Sequence, residues 1–274
     1  MARRPVLPYL ETHVVDHCNL NCKACSHFSP LSKESFVDVL EFEKNLELLS
    51  KKIRFKKIRL LGGEPLLHPE MSRFVEISRK YFPRSEISIV TNGSLLFSLP
   101  DSFFQACRQN NISFDRSKYP AFEDKFEEMK ALIFSKGIKI SDIHECDKMY
   151  VFHNPNGDSD INSSFKHCGM KKYKILKAKK LYTCPKSAYI NLFTEYFKMP
   201  ILKDFGYSLC FYSAKELIRR LDRPIDTCKY CTYGARKIDW EKSKMEKSDW
   251  DVIDDPNKIK LFQKHVLSDI EKQS

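Results

Sequence analysis

Three cysteines, Cys18, Cys22 and Cys25, fall in the run His-Cys-Asn-Leu-Asn-Cys-Lys-Ala-Cys that begins at His17. Thiolates so closely spaced can hold one inorganic cluster, and iron–sulfur clusters are usually held by four. A set that stops at three either recruits a distant ligand or leaves one iron open to a small molecule. An open coordination position is what separates catalytic from closed structural metal sites. A zinc knuckle or buried free thiols would use the same residues, since cysteine is among the most buried residue types. His17 and His27 flank the run, and packing or solvent-facing roles account for them more simply than metal ligation.

A second set follows: Cys168, then Cys184 inside Leu-Tyr-Thr-Cys-Pro, then Cys228-Lys-Tyr-Cys231. Four thiolates could close a cluster or a zinc site, and spacing alone leaves both open. Between the sets lies Gly62-Gly63-Glu64-Pro65. Gly and Pro favour a plain turn. Two glycines would also let backbone groups approach a ligand closely, and Glu64 could accept hydrogen bonds from an amino group. Cys107, Cys146 and Cys210 are needed by neither set.

The elements that must position these groups are legible as alternation. From about residue 10 to residue 145, short apolar runs alternate with helical patterns, as in βα units around a parallel sheet. Strands are expected at 12–15, 57–61, 87–90, 112–115 and 138–140. Asp38 with Glu41 makes a capping box for a helix whose Phe42, Leu46 and Leu49 share a face. Pro69 suits the first turn of a helix with Met71, Phe74, Val75 and Phe82 apolar. Further helices carry Phe103 with Cys107, and residues 122–135. The main polar motifs fall at C-terminal strand ends, where loops converge on ligands in parallel α/β folds. Residues 151–164 are rich in turn formers and read as a linker. A hairpin is expected at 173–176 and 181–183, and a terminal helix at 256–271. This gives an α/β chain in three parts: 1–150, 151–250 and 251–274.

The 274 residues, 42% hydrophobic and 30% charged, suit a globular chain with a sizeable core. Ten clustered cysteines without a secretory leader read as metal ligands in a reducing cytoplasm, not as a disulfide framework. The first residues lack the apolar segment of about 7–15 residues that a signal peptide needs. No run approaches the roughly 18 apolar residues of a membrane span. The net charge of +11 comes from scattered lysines; the dense run from Lys171 to Lys180 reads as a solvated hairpin more readily than as an anion-binding patch. An anionic, sugar-like substrate stays compatible, and nucleic acid is the weaker partner.

Cys-x3-Cys-x2-Cys after a first strand, with Gly-Gly-Glu-Pro after a second, resembles the radical S-adenosylmethionine (radical SAM) superfamily over roughly residues 10–145. The resemblance implies a partial (β/α)6 barrel in which Cys18, Cys22 and Cys25 ligate a [4Fe–4S] cluster. S-adenosylmethionine would take the open iron beside Gly62, Gly63, Glu64 and Pro65. Thr91, Asn92 and Ser113 match strand-end positions that contact ribose or substrate in the family. Asp115 and Arg116 replace an Asp-Gly pair often seen there, which leaves their roles open. Cys168, Cys184, Cys228 and Cys231 are similar to the twitch domain, a small α+β relative of the SPASM domain that holds one auxiliary [4Fe–4S] cluster. That layout looks most like superfamily dehydrogenases that oxidise aminocyclitol alcohols. The motif from Cys25 to Leu31 is also similar to radical SAM proteins of surface-polysaccharide gene clusters.

The implied reaction is reductive cleavage of the cofactor to a 5′-deoxyadenosyl radical that abstracts hydrogen from a carbohydrate or cyclitol. An electron then passes to the auxiliary cluster in a dehydrogenation, or a thiol returns hydrogen in an epimerisation. Cys210, between auxiliary ligands, is the candidate donor. A flavodoxin or ferredoxin would supply the low-potential electron. Two rivals stand: radical modification of a ribosomal peptide, and a metal-bearing nucleic-acid-binding protein with Tyr173, Tyr182 and Tyr230 as stacking residues. The second leaves Gly62–Pro65 unexplained.

Overall fold

The computed structural model describes residues 4–200 and 202–252. The expected helix over 256–271 lies outside them. The first half alternates strand and helix: β1 (Val6–Val15), α1 (Val39–Ser50), β2 (Arg54–Gly62), α2 (Met71–Tyr81), β3 (Glu86–Thr91), α3 (Asp101–Gln109), β4 (Ile112–Lys118), α4 (Phe126–Ser135) and β5 (Lys139–Glu145). Then come β6 (Lys148–His153), α5 (Ile161–Lys166), β7 (Tyr173–Lys177), β8 (Lys180–Tyr182), α6 (Pro185–Tyr196), β9 (Tyr207–Ser208), α7 (Ala214–Leu221) and β10 (Cys231–Asp239). None of the described helices is long and apolar enough to cross a membrane.

Eight strands form one sheet in the order β5-β4-β3-β2-β1-β7-β8-β9. Strands β5 to β1 and then β7 run parallel, and β8 and β9 run antiparallel at the edge. This is the α/β architecture of a partial barrel. Strand β7 pairs with β1 from Tyr9↔Tyr173 to Thr12↔Leu176, so the sheet continues across the boundary expected at residue 150. The hairpin of β7 and β8 turns on Ala178 and Lys179, both at positive φ, as a two-residue turn matched to strand twist requires.

The apolar stripes do what their spacing predicts. Asp38 caps α1 by accepting from the Glu41 amide at 2.8 Å, and Phe42, Leu46 and Leu49 are buried against the sheet. Phe74 of α2 packs on Phe42, ring centroids 4.7 Å apart. Ile58, Leu60, Ile87, Ile89 and Phe114 complete this core from the strands. The chain over 151–164 is not a plain linker. Val151 to His153 belong to β6, which pairs antiparallel with β10, and α5 begins at Ile161. The turn formers act between them, where buried Asn154 donates to Asp158 and Ser159, both at 2.7 Å.

Candidate active site

The loop after β1 carries Cys18, Cys22 and Cys25 into one cavity of about 280 Å³, which Gly62, Gly63, Glu64, Thr91 and Asn92 also line. Burial raises the pKa of Cys18 and Cys25 and lifts Cys22 to about 12; neighbouring thiols push Cys18 and Cys22 the same way. Thiols crowded like this ionise together only beside bound positive charge, which a cluster's irons supply. The donor set therefore fits a thiolate-held cluster. Among the described residues no group of three or more His, Cys, Asp or Glu converges closely enough for a single ion. A cluster asks for wider spacing, because each thiolate binds its own iron.

A segment distant in sequence straps the cysteine loop. Trp240 Nε1 donates to Cys22 Sγ at 3.2 Å, and Trp250 Nε1 donates to the Cys25 carbonyl at 3.0 Å. The amides of Lys23, Ala24 and Ser243 add bonds to Glu241, Asp249 and Asn21 carbonyls at 3.0, 3.1 and 2.9 Å.

The glycine pair is needed for packing within the protein. A Cβ on Gly62 would sit 2.0 Å from the Val15 carbonyl oxygen, and one on Gly63 would sit 1.9 Å from that of His17. The end of β2 thus lies directly against the chain that enters the cysteine loop. Pro65 opens a short 3-10 turn. Glu64 faces inward: its carboxylate accepts from Thr91 Oγ1 at 2.5 Å, the Asn92 amide at 2.8 Å and the Leu66 amide at 3.1 Å. Burial raises its pKa against those bonds. Arg116 backs the same corner, donating to the Thr91 carbonyl at 2.8 Å. Asn92 Nδ2 reaches Asn19 Oδ1 at 3.0 Å, which joins the strand-end loop to the cysteine loop.

Other residues of this cavity were not anticipated. Glu11, Arg59, Ser117, Tyr119, His144, Met149, Met170 and Tyr173 also line it. Arg59 organises it: Nη1 donates to Glu11 at 2.9 Å, Nε to Asp115 at 3.0 Å and Nη2 to His144 Nε2 at 2.9 Å. Burial pushes Glu11 up to about 7 against the pull of Arg59. Asp115 also accepts from Lys57 and Ser88, both at 3.0 Å, so it anchors an ion network and does not line this cavity. His27 does line the cavity, where its Nδ1 pairs with His13 Nε2 at 2.8 Å. His13 in turn donates to Asp16 at 2.6 Å. His17 accepts from the Ser35 amide at 3.1 Å and meets Phe36 edge-on, a packing role.

Two expected site residues lie elsewhere. Ser113 sits at the start of β4, bonded to Ser141 Oγ at 2.9 Å, at the sheet end away from the cysteines. The strand runs on to Lys118, so Ser117 and Tyr119 occupy the position expected for Ser113. Cys210 is exposed beyond the edge strand β9 and lines neither thiol cavity. Cys107 is buried on α3, its thiol pushed up to about 12 by burial alone against Arg108.

The second cysteine set also comes together. Cys168, Cys184 and Cys231 line a cavity of about 540 Å³, and Cys228 is electrostatically coupled to Cys231 and Cys168. Burial, then neighbouring thiols, lifts Cys184 to about 12 and Cys228 to about 11. Cys184 caps α6 and Cys231 opens β10. Ser26, Tyr119, Met149 and Met170 line both cavities, so the two thiol groups flank one wall. Tyr119 stands in hydrogen-bonding range of both Cys22 and Cys146.

With this geometry in place, comparison with known proteins is specific. Residues 12–116 match the radical SAM superfamily model, and this part of the chain is a radical SAM domain. Curated relatives include the GTP 3',8-cyclase of Microcystis aeruginosa, 32% identical over 117 residues that make up 40% of this chain and 35% of that one. The GTP 3',8-cyclase of Chlorobaculum tepidum is 34% identical over 131 residues, 45% of this chain and 39% of that one. The match thus spans little more than a third of those relatives. Among solved structures, BtrN in complex with AdoMet and 2-DOIA superposes with a TM-score of 0.50 at 17% identity, covering 82% of this chain and 92% of that chain, a likeness of fold.

Proposed function

We propose that this protein is a radical SAM enzyme acting on a carbohydrate- or cyclitol-type substrate, with an auxiliary iron–sulfur cluster in its C-terminal part. In this reading Cys18, Cys22 and Cys25 hold a [4Fe–4S] cluster, and Gly62, Gly63, Glu64, Pro65, Thr91 and Asn92 frame S-adenosylmethionine. Cys168, Cys184, Cys228 and Cys231 hold the second [4Fe–4S] cluster in a twitch-like arrangement. The observation that carries the reading is the wall of Ser26, Tyr119, Met149 and Met170 shared by two thiol-lined cavities. When bound, cluster and cofactor supply one-electron hydrogen abstraction, chemistry that belongs to them and not to the side chains.

The chain's own residues position the substrate. Glu11, Arg59, His144 and Tyr173 offer donors and acceptors in the cavity lining, which suits a polyhydroxylated molecule. Glu11, with a pKa of about 7, is poised to take the proton an alcohol releases on oxidation. The exposed position of Cys210 argues against it as the hydrogen donor of an epimerisation.

The test is anaerobic reconstitution with iron and sulfide, then an iron count and measurement of 5′-deoxyadenosine release with dithionite and a panel of sugars and aminocyclitols. The expected result is about eight irons per chain, by two four-iron clusters, with cofactor cleavage lost in Cys22→Ser. Protein that takes up zinc in place of iron, or that never cleaves the cofactor, refutes the reading.

A further inference from the structure

Two buried lysines without an ion pair act on the four-cysteine site: Lys186 lines its cavity, and Lys174 feels Cys184 and Cys168 electrostatically. Lys174 is 8% exposed and Lys186 3% exposed. An ammonium so far from water needs either a counter-charge or full hydrogen bonding, and here the bonds go to backbone carbonyls only. Lys174 Nζ donates to the Lys171 carbonyl at 2.6 Å and the Leu221 carbonyl at 3.0 Å. Lys186 Nζ donates to the Tyr230 carbonyl at 2.6 Å and lies 5.5 Å from the Phe152 ring centroid. Neither makes an ion pair among the described residues; Asp222 acts on Lys174 only through space. Besides Asp222, the groups of opposite sign that act on them are the cysteines. Lys174 is coupled to Cys184 and Cys168, and Lys186 to Cys228.

We propose that Lys174 and Lys186 are the built-in counter-charge of the four-cysteine site and raise the reduction potential of the cluster held there. The proposal rests on the auxiliary cluster of the preceding section. Four thiolates around a cubane core of charge +2 leave a net charge of −2, and two ammoniums balance it. One-electron reduction adds a further negative charge, which the same two ammoniums stabilise. Net charge, hydrogen bonds to sulfur and exposure are what set such potentials. Cys184 also sits at the N-terminus of the 12-residue α6, whose dipole adds positive potential at the thiolate.

The first site is furnished differently. The charged group coupled to Cys18 there is the carboxylate of Glu64, and no lysine acts on Cys18, Cys22 or Cys25 among their leading influences. The two lysines favour the second site as an electron acceptor, the role an oxidation requires of it. This also gives one lysine of the hairpin a role. Lys174 is turned into the protein beside thiols, whereas Lys172 stays exposed.

The experiment uses the reconstituted full chain in potentiometry followed by electron paramagnetic resonance. Lys174→Met and Lys186→Met keep the stem and remove the charge. Each should lower the second cluster's midpoint about tenfold in its one-electron equilibrium, 59 mV, and leave the first unchanged. Arginine at either position should largely restore it. An unchanged second midpoint in both methionine variants, at about eight irons per chain, overturns the proposal while sparing the cluster. About four irons in the unaltered protein defeats the cluster reading itself. If a methionine variant fails to load the second site, loading regained with arginine supports the charge role, and failure with arginine overturns it.

Discussion

Trp240 donates its indole N–H to Cys22 Sγ at 3.2 Å, so a residue of the C-terminal strap is bonded to a thiol of the N-terminal motif. The ring lies 6.2 Å from that of Tyr119, which reaches the same sulfur. A hydrogen bond to a thiolate withdraws charge from it and favours the reduced form of whatever it ligates. Trp240→Phe keeps most of the packing and removes the donor. The expected outcome is a more negative midpoint for the first cluster, by about tenfold in its one-electron equilibrium, read by spectroelectrochemistry. A midpoint that does not move would show the bond to be structural only.

Gly63 offers a test that needs no iron. Its missing Cβ would fall 1.9 Å from the backbone oxygen of His17, and backbone cannot step aside as a flexible side chain can. Gly63→Ala should cost about 3 kcal/mol through overpacking and loosen the cysteine loop. Chemical denaturation of the apoprotein measures the first effect, and iron uptake the second. Wild-type stability in this variant would mean that the close approach of β2 to the loop is not rigid.

Cys18, Cys22 and Cys25, like the pair Cys228 and Cys231, were legible as groups because they are close in sequence, whereas Cys168 and Cys184 meet that pair only through the fold. The strands and helices of the first half were legible for a similar reason, since βα alternation is written in neighbouring residues. What escaped notice is encoded across distance. Arg59 meets Glu11, Asp115 and His144 at sequence separations of 48, 56 and 85, and Trp240 meets Cys22 at 218. In one dimension Glu11 and Arg59 read as polar positions of a strand's solvent face. They face the interior because they pair with each other. Ser113 was misplaced for the same reason: Asp115 and Arg116 read as the end of an apolar run, yet both are buried by ionic and polar partners and the strand continues past them. The pairing of β7 with β1 likewise joins residues that no local pattern connects.

Glu11 predicts a pH dependence of stability. Its folded pKa of about 7 lies above the ordinary value of 4.5, so the folded state binds the proton more tightly than the unfolded state. The protonated form's advantage is fully present below pH 4.5 and is lost as pH rises through 7. Glu11→Gln removes the ionisation and should flatten that decline, by on the order of 3 kcal/mol between the two limits. Denaturation curves across this range check it. A wild-type profile already flat from pH 5 to 8 would place the carboxyl in the ordinary range and end its candidacy as proton acceptor.

Ligand removal separates the two sites from each other and from the surplus cysteines. Cys184 is the N-cap of α6 and lines the second cavity, so Cys184→Ser should keep the cap through its hydroxyl while losing a thiolate. Reconstituted protein should then fall from about eight irons to about four, with the signal of the first cluster intact. Cys210→Ser is the control: the side chain is exposed, lines neither cavity, and should change stability by no more than about 0.5 kcal/mol and iron content not at all. Iron content unaffected by Cys184→Ser but lowered by Cys210→Ser would reverse the assignment, and would require the loop beyond β9 to fold back over the second cavity, a rearrangement detectable as protection of Cys210 from thiol alkylation in the loaded protein.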